Sequence, residues 1–583
     1  MVNLINKTFI FTGLSKISPM YIFLFLSGLN LLFMHYFIFF TYHVNAELDS
    51  AFFVDNFLGT FFDIFAIFCF FYFVSLKRTK VAISICFVIT WLWSLSNVMY
   101  SRFFFHYLSL SAICQGGALT DDLIIQCIRA NLHLIDLYYP VVAVFFLVLL
   151  NNTHFQISYS FWKKAVVTSI LLILFDIGIH VFCCFSNPSF RYYSYLIHRL
   201  YSNHLVEHLY YSQPNLAHFL RGELRTLGAE FAMNVKGNIE LSDEQLNDIK
   251  HLTKESKKSI NDSLAINPKT NVIFILVESY MSFTSDLKIG GREITPYLNS
   301  LKRDSSVYYN GRMKKNVTLG ASSDGQFIYM TGLLPLRSII TISKARSTTM
   351  PGLPKILGRK SRMVIPTATS MWDQDQMCSQ YGFNELYAIG DYSKTVQGNL
   401  TDEQVFELAI RKDKESQQPF FSVVLTITMH QPYVEQIDSS FPIKDRLISD
   451  ELANYLNACH YTDMQIGKYL EWLKEAGLYD NSLILIAADH PVDNTDFGGV
   501  IDDIPLYIIN AGIGTDNMWH GECNQVDLYT TLLDLLGCGS NWYGLGRSLL
   551  SPNYENSVNE HSFDVSEWIM FGDYFCKYSS VGN

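Results

Sequence analysis

A helical membrane anchor followed by an α/β domain on a mostly parallel sheet is the fold class predicted by this 583-residue sequence. Three observations predict it. Long apolar runs crowd before Cys184, and ordinary amphiphilic sequence follows. From Asn271 onward, short apolar runs alternate with helical patterns, as they do where helices cover both faces of a parallel sheet. Two of those runs, NVIFILV (271–277) and SLILIAA (482–488), lead straight into metal-ligating side chains, Glu278 and the pair Asp489–His490. In open α/β sheets ligands sit beyond the carboxyl ends of the strands, so both run-ends point to one site at one sheet edge.

Composition narrows the classes. An apolar fraction of 49 % with 15 % aromatics points to membrane-embedded segments. The net charge of −11, with no basic stripe to offset phosphate repulsion, argues against a nucleic-acid partner. The eleven cysteines are scattered without a CxxC pair, so neither a zinc ribbon nor a redox motif is expected.

A membrane span needs ~20 mostly apolar residues. Five stretches read as spans: Ile17–Tyr42, Phe57–Leu76, Val81–Tyr100, Leu137–Leu150 and Ala165–Phe185, the fourth with the shortest apolar core. The first is too long, and lacks the small-residue site, for a cleaved signal peptide. Lys7 and Lys16 precede the first span, Lys77, Arg78 and Lys80 follow the second, and Lys163 and Lys164 follow the fourth. The other loops carry Glu47, Asp49, Asp55, Asp121 and Asp122. This bias sets a cytoplasmic N-terminus, and five spans put everything after Phe185 outside; four would leave it inside. Asp63 and Asp176 fall within spans, as functional carboxylates or as bundle-facing groups paired with polar neighbours. SRFFFHYLSLSAI (101–113) reads as an amphipathic helix on the membrane surface.

The expected boundaries are an anchor over 1–186, a polar helical connector over 187–268, the α/β domain over 269–552 and a polar, aromatic tail over 553–583. In the connector, Ser242 followed by an acidic turn marks a helix start. In the α/β domain the expected strands are NVIFILVE, RMVIPTA, FFSVVLTIT, SLILIAA and IPLYIIN, with helices over Glu451–Ala476 and Asp527–Leu536 among those between them.

Four pieces of this domain carry chemistry. Glu278 ends the first strand. In GASSDGQF (320–327) a small-residue turn opens a helix ending near Gly332 and Pro335. Ser322 or Ser323 there is either an N-cap or a nucleophile in the positive field of the helix end, where free N–H groups could hold a phosphate. His430, just past a strand end, suits a proton donor to a leaving oxygen, or is a loop histidine with no role. Asp489–His490 completes an oxygen-rich set with one imidazole, suited to Mn2+, Mg2+ or Zn2+. His520, between Trp519 and Gly521, is a further candidate site histidine.

Together these pieces resemble the lipoteichoic acid synthase and phosphoglycerol transferase family, within the alkaline phosphatase and sulfatase superfamily. The likeness runs through SNVMYSRFF, NVIFILVES, ITPYLNSL, GASSDGQF, TMHQPY, YTDMQIGKYLEWLKEAGLYDNSLILIAADH and QVDLYTTLLDLLG, in order. It implies an alkaline phosphatase/sulfatase-like fold for the α/β domain, outside a bacterial cytoplasmic membrane. It implies Ser322 as nucleophile and metal ligand, with Glu278, Asp489 and His490 as the other ligands of one divalent ion, Mn2+ first. It implies His430 as the substrate-facing histidine and Trp372 as an aromatic near the glycerol-phosphate group. Three residues depart from the family pattern: Gln374 stands for an arginine, Pro491 for glycine or tyrosine, and Ser322 for threonine.

The activity so implied moves a headgroup from a membrane phospholipid donor to an envelope glycan or lipid acceptor through a phospho-Ser322 intermediate. Phosphatidylglycerol is the expected donor, with phosphatidylethanolamine the alternative. The loss of arginine at Gln374 keeps a second class open, a catalytically weak membrane scaffold. A formylglycine sulfatase is disfavoured, because Ser322 is followed by Ser323, Asp324, Gly325 and Gln326.

Overall fold

The computed structural model describes residues 19–42, 50–75, 78–104, 106–114, 132–151, 218–219, 222–235, 238–261, 270–393, 399–431, 433–445, 447–492, 497 and 503–578. The chain divides into two units, one of residues 1–110 and 131–233, the other of 111–130 and 234–583.

In the first unit, apolar helices span Pro19–Tyr42, Ser50–Val74, Thr79–Phe104 and Tyr138–Asn151. Among the described residues, three helical segments are long and apolar enough to cross a membrane: Ile22–Thr41, Thr79–Arg102 and Leu134–Asn151. The expected second span is present as a shorter apolar stretch, Asn56–Tyr72. The expected fifth span, with Asp176, lies outside the described residues. The apolar helix faces pack through Phe23, Met34, Ile38, Phe68, Phe87 and Phe146, with the Phe87 and Phe146 rings stacked 3.8 Å apart.

One expectation changes in this unit, and one alternative is settled. Residues 101–104 are the last turn of the third helix, not the start of a surface helix. Arg102 there forks onto Asp136 at 2.7 and 2.9 Å, and His106 and Tyr107 are buried, with the Tyr107 hydroxyl on His35. The polar groups of Arg102, His106 and Tyr107 are thus met by protein groups, and Leu110–Cys114 is a separate short helix. Asp63 is a paired, bundle-facing group: it accepts the N–H groups of Glu223 (2.6 Å) and Leu224 (3.2 Å) and caps the helix Glu223–Val235.

The second unit is built on an eight-stranded sheet. Its strands are β1 (Asn271–Val277), β4 (Tyr308–Lys314), β5 (Lys360–Val364), β6 (Glu385–Tyr387), β7 (Phe420–Leu425), β8 (Ser482–Ala488), β9 (Ile504–Ile509) and β10 (Cys523–Asn524). A small ribbon pairs β2 (Lys288–Ile289) with β3 (Arg292–Glu293). The order across the sheet is β10-β4-β9-β8-β1-β7-β5-β6. All neighbours are parallel except β9, which runs antiparallel between β8 and β4. Every residue of β1 and β8 is buried, which is why both read as unbroken apolar runs.

Helices at Asp450–Glu475 and Asp527–Leu535 match the expected ones, and Ser242 caps Asp243–Lys258 by accepting the Gln245 N–H. That helix belongs to the domain itself. Its C-terminal residues Ser256 and Ser259 bond Arg547 and Ser548. The tail forms a helix, Glu560–Gly572, whose Glu560, Asp564 and Glu567 all receive the guanidinium of Arg337.

Asp463 on the long helix caps Pro296–Arg303, accepting the N–H groups of Tyr297 and Leu298 at 2.9 and 2.8 Å. Burial pushes its carboxyl up to about 7. The unfolded value is about 3.9, so the folded chain holds a proton that the unfolded chain releases. This contribution to stability is complete below pH of about 4 and is lost as pH rises through about 7. Asp463→Asn is therefore expected to flatten the decline in Tm across that window, measured by thermal unfolding of the full chain at a series of pH values.

Candidate metal centre and cleft

The register of the two central strands builds the site. Val277 of β1 lies beside Ala488 of β8, so Glu278 and Asp489 leave adjacent strand ends abreast. Leu276 lies beside Leu425 of β7, so Thr426 leaves on the other side, and its hydroxyl accepts the Glu278 N–H at 2.9 Å. Ser279, immediately after Glu278, holds φ of 50°, a left-handed conformation that costs a non-glycine residue on the order of 1 kcal/mol. That bend lets the Ser279 N–H donate to Asp489 Oδ1 at 2.9 Å and its hydroxyl to Glu278 Oε1 at 2.8 Å.

Ser322 enters from a third place. It begins the helix Ser322–Thr331 after Ala321, whose φ is 43°. Its Oγ lies 3.2 Å from Glu278 Oε2 and 3.1 Å from His490 Nε2. Ser323 turns away and donates to the Gly320 carbonyl. The N–H groups of Ser323, Asp324 and Gly325 are taken by the Gly320 and Ala321 carbonyls. The helix end therefore supplies its field at Ser322, and these three N–H groups are not available to a phosphate. Asp324 Oδ2 holds the preceding loop, accepting from Thr318 and Gly320.

The ligand atoms of Glu278, Asp489 and His490 all lie within 4.8 Å of one another, and all three side chains are buried. His490 Nδ1 donates to the Pro491 carbonyl at 2.7 Å, which turns Nε2 towards Ser322 and Glu278. That carbonyl is backbone, so proline serves here as well as another residue. Asp489 Oδ1 is taken by two backbone N–H groups, and its other oxygen faces His490. Burial opposes charge on Glu278, but the His490 hydrogen bond and the charges of His430 and His490 outweigh it and hold its carboxyl low. Burial and the Glu278 charge push Asp489 up. Two carboxylates, an imidazole and a hydroxyl around one point fit a divalent cation. Such an ion would offset the repulsion between the two carboxylates.

Removing a ligand should therefore show in stability. A divalent cation at about a hundred times its Kd adds about 2.7 kcal/mol to a protein that binds it only when folded. Asp489→Asn is expected to lose most of that increment, measured by thermal unfolding with Mn2+ and with a chelator.

The triad opens onto a cleft lined by Ser322, Gln326, Ile365, Thr367, Trp372, Gln374, Thr426 and His430, among others. His430 is positioned by Asp402, whose carboxylate accepts the N–H groups of Ile427 and Thr428 and the Thr462 hydroxyl. Its Nδ1 is on the Gln431 carbonyl. Of the sequence-predicted residues, Glu278, Ser322, Trp372, Gln374, His430 and Asp489 line this cleft, and His490 stands behind Ser322. His520 does not. It precedes β10, the edge strand three places from β8, where its ring is 5.2 Å from that of Tyr308 and its Nε2 is on Thr515. Sequence patterning missed Thr426, Gln326, Asp402, Tyr329 and Gln525. The Tyr329 hydroxyl donates to the Ala488 carbonyl and the Gln525 amide to the Asp489 carbonyl. Of these only Thr426, directly after the apolar run of β7, carries a local signal; Asp402, Gln326 and Gln525 sit in polar stretches that mark nothing.

An α/β enzyme with a hydroxyl beside three residues that could hold a cation, at the carboxyl ends of central parallel strands, is the class this fold and cleft define. Residues 270–538 match the Sulfatase family model, so the chain carries a sulfatase-family domain. It is 24 % identical over 503 residues to lipoteichoic acid synthase 2 of Bacillus subtilis (strain 168), covering 79 % of this chain and 73 % of that one. It is likewise 24 % identical over 493 residues to the lipoteichoic acid synthase of Staphylococcus aureus (strain USA300), covering 79 % and 74 %. Among solved structures, the integral membrane lipooligosaccharide phosphoethanolamine transferase A of Neisseria meningitidis shares its fold. The TM-score is 0.52 at 14 % identity, over 89 % of this chain and 96 % of that one. The comparisons support a membrane-anchored phosphotransferase.

Proposed function

We propose that this protein moves a phosphoglycerol headgroup from a membrane phospholipid to an envelope glycan or lipid acceptor, through a phosphoester on Ser322. The observation that carries this reading is the Ser322 Oγ, held between Glu278 and His490 at the mouth of a cleft that also presents His430. A divalent cation (Mn2+, with Zn2+ and Mg2+ as alternatives), held by Glu278, Asp489, His490 and Ser322, would neutralise phosphate charge and favour the ionised hydroxyl.

The rest is done by the chain's own groups. Ser322 Oγ forms a bond to phosphorus, and the bond from phosphorus to the diacylglycerol oxygen breaks. His430 gives that oxygen its proton. An acceptor hydroxyl then attacks phosphorus and passes its proton to His430, and Ser322 Oγ leaves. Trp372 offers an apolar wall against the glycerol carbons. The anchor keeps the cleft at the lipid surface, which raises the effective donor concentration. The lysine and arginine bias supports a cytoplasmic membrane location with the α/β domain outside.

Intact-mass spectrometry of the full chain after incubation with phospholipid and Mn2+ tests the reading. A phosphoglycerol adduct on Ser322 is expected. A phosphoethanolamine adduct would change the donor. Metal binding with neither adduct nor diacylglycerol release would leave a scaffold and overturn the transferase.

A further inference from the structure

We propose that the loop after His430 seats the acyl chains of the phospholipid donor, with Val434 and Ile437 as the side chains that meet the lipid layer. The inference rests on the phospholipid-donor reading above and goes beyond it by naming the protein surface against which the diacylglycerol lies.

Large apolar side chains are seldom exposed in the α/β domain. Among the described residues from Asn271 onward they are Val434, Ile437, Leu447, Met464, Trp519 and Tyr578, and half of these fall between residues 434 and 447. Val434 is 56 % exposed and Ile437 51 %. The loop is held so that they cannot fold inward. On the long helix Asp450–Glu475, the Asn454 amide donates to the Tyr433 carbonyl and the Asn457 amide to those of Asp438 and Phe441. Asn457 Oδ1 accepts the Asp438 N–H at 2.7 Å, and the Asp438 carboxylate pairs with His460 of the same helix at 2.8 Å. Phe441 is buried between the His460 ring, stacked at 3.8 Å, and the Arg292 guanidinium at 3.9 Å. Tyr433, Phe441 and Ile443 are thus turned in, which leaves Val434 and Ile437 outside.

These aliphatic groups follow the residue that handles the leaving group. His430 gives its proton to the diacylglycerol oxygen, so the carbons that carry the acyl chains are at that ring when the bond to phosphorus breaks. Val434 is four residues further on, a reach of at most ~14 Å. The Tyr433 hydroxyl, on the Met429 carbonyl at 2.8 Å, ties the segment back towards His430. The acyl chains of one leaflet are ~15 Å long, enough to cover that distance. The residue types also fit lipid better than protein. Protein interfaces are anchored mainly by Trp, Tyr and Arg, with Val and Leu under-represented. Saturated chains match an aliphatic surface, and the gain is the apolar area taken from water.

The test uses the full chain with Mn2+ in unilamellar vesicles of phosphatidylglycerol and phosphatidylcholine. With p-benzoylphenylalanine at position 437, irradiation should give phospholipid-bearing peptides in clear excess over the same probe at position 471, an exposed place on the long helix. Val434→Asn combined with Ile437→Asn should raise KM for vesicle phosphatidylglycerol by about tenfold at unchanged kcat, since two half-buried aliphatic side chains contribute about that much to affinity. Diglyceride release from dibutanoyl phosphatidylglycerol, which is monomeric in water and has no long chains to seat, should not change. Equal lipid cross-linking at the two positions, cross-links to protein alone, or an equal loss on both lipids overturns the loop assignment while leaving the transferase standing. No diglyceride from either lipid with the unmodified protein overturns the phospholipid-donor reading itself, and the loop's assignment to the donor with it, whatever the cross-links show.

Discussion

Ser322→Ala is expected to lower diacylglycerol release by roughly a thousandfold or more, because removing a nucleophile removes the covalent route and not merely one contact. Binding of Mn2+ should survive. Three of the four proposed ligands, Glu278, Asp489 and His490, remain, and they are held by strand ends, the Thr426 hydroxyl, the Ser279 N–H and the Pro491 carbonyl, which the substitution does not touch. The paired outcome is what discriminates. A thermal shift with Mn2+ that persists while turnover vanishes identifies the hydroxyl as a reacting group. Loss of both would make Ser322 a structural ligand, and retained turnover would move the nucleophile elsewhere.

Gly325→Ala should destabilise the protein and nearly silence it, against the usual sign of the substitution. Inside a helix, replacing Gly by Ala ordinarily stabilises by about 1 kcal/mol. Here a Cβ would lie 2.4 Å from the Asp489 carbonyl oxygen and 2.9 Å from its Cα. That backbone cannot retreat, since the same carbonyl accepts from Gln525 and the Tyr329 hydroxyl holds Ala488 beside it. Overpacking of this kind costs about 1–3 kcal/mol, which outweighs the propensity gain. The accommodation must separate Ser322 from Asp489, and a displacement of about 1 Å at a reacting group can cost on the order of a hundredfold in rate. A lowered Tm together with a fall in kcat is the expected result. A variant as stable and active as the parent would show that the helix can shift without disturbing the centre.

The pieces of the site that could be read in one dimension are those whose signal is local. NVIFILVE and SLILIAADH announce themselves because a strand buried on both faces must be apolar throughout, and the first polar residue after it must lie at the sheet edge. The less regular strands gave no such signal. β4, YYNGRMK, carries Asn310 and Gly311 and a bulge against β9, so no apolar period marks it. β9 reads as a strand, but its antiparallel sense depends on which edge its connection reaches, and no residue in IPLYIIN encodes that. The surface helix expected over 101–113 failed for a similar reason. The polar side of its pattern is met by Asp136 and His35, residues distant in the chain.

What the amino-acid sequence determined by itself is the kind of protein and the kinds of atom at its centre. Apolar length marks an anchor, alternation marks a parallel sheet, and two strand-ends carry a carboxylate and an Asp–His pair. What only the tertiary structure decided is which of those atoms meet and which way they face. The β1–β8 register sets Glu278 beside Asp489, the bend at Ala321 chooses Ser322 over Ser323, and the sheet order carries His520 to an edge strand away from the cleft. The reason is physical: a residue's type follows from its own position in a local pattern, whereas adjacency between strands two hundred residues apart is fixed only when the whole sheet closes its hydrogen bonds at once.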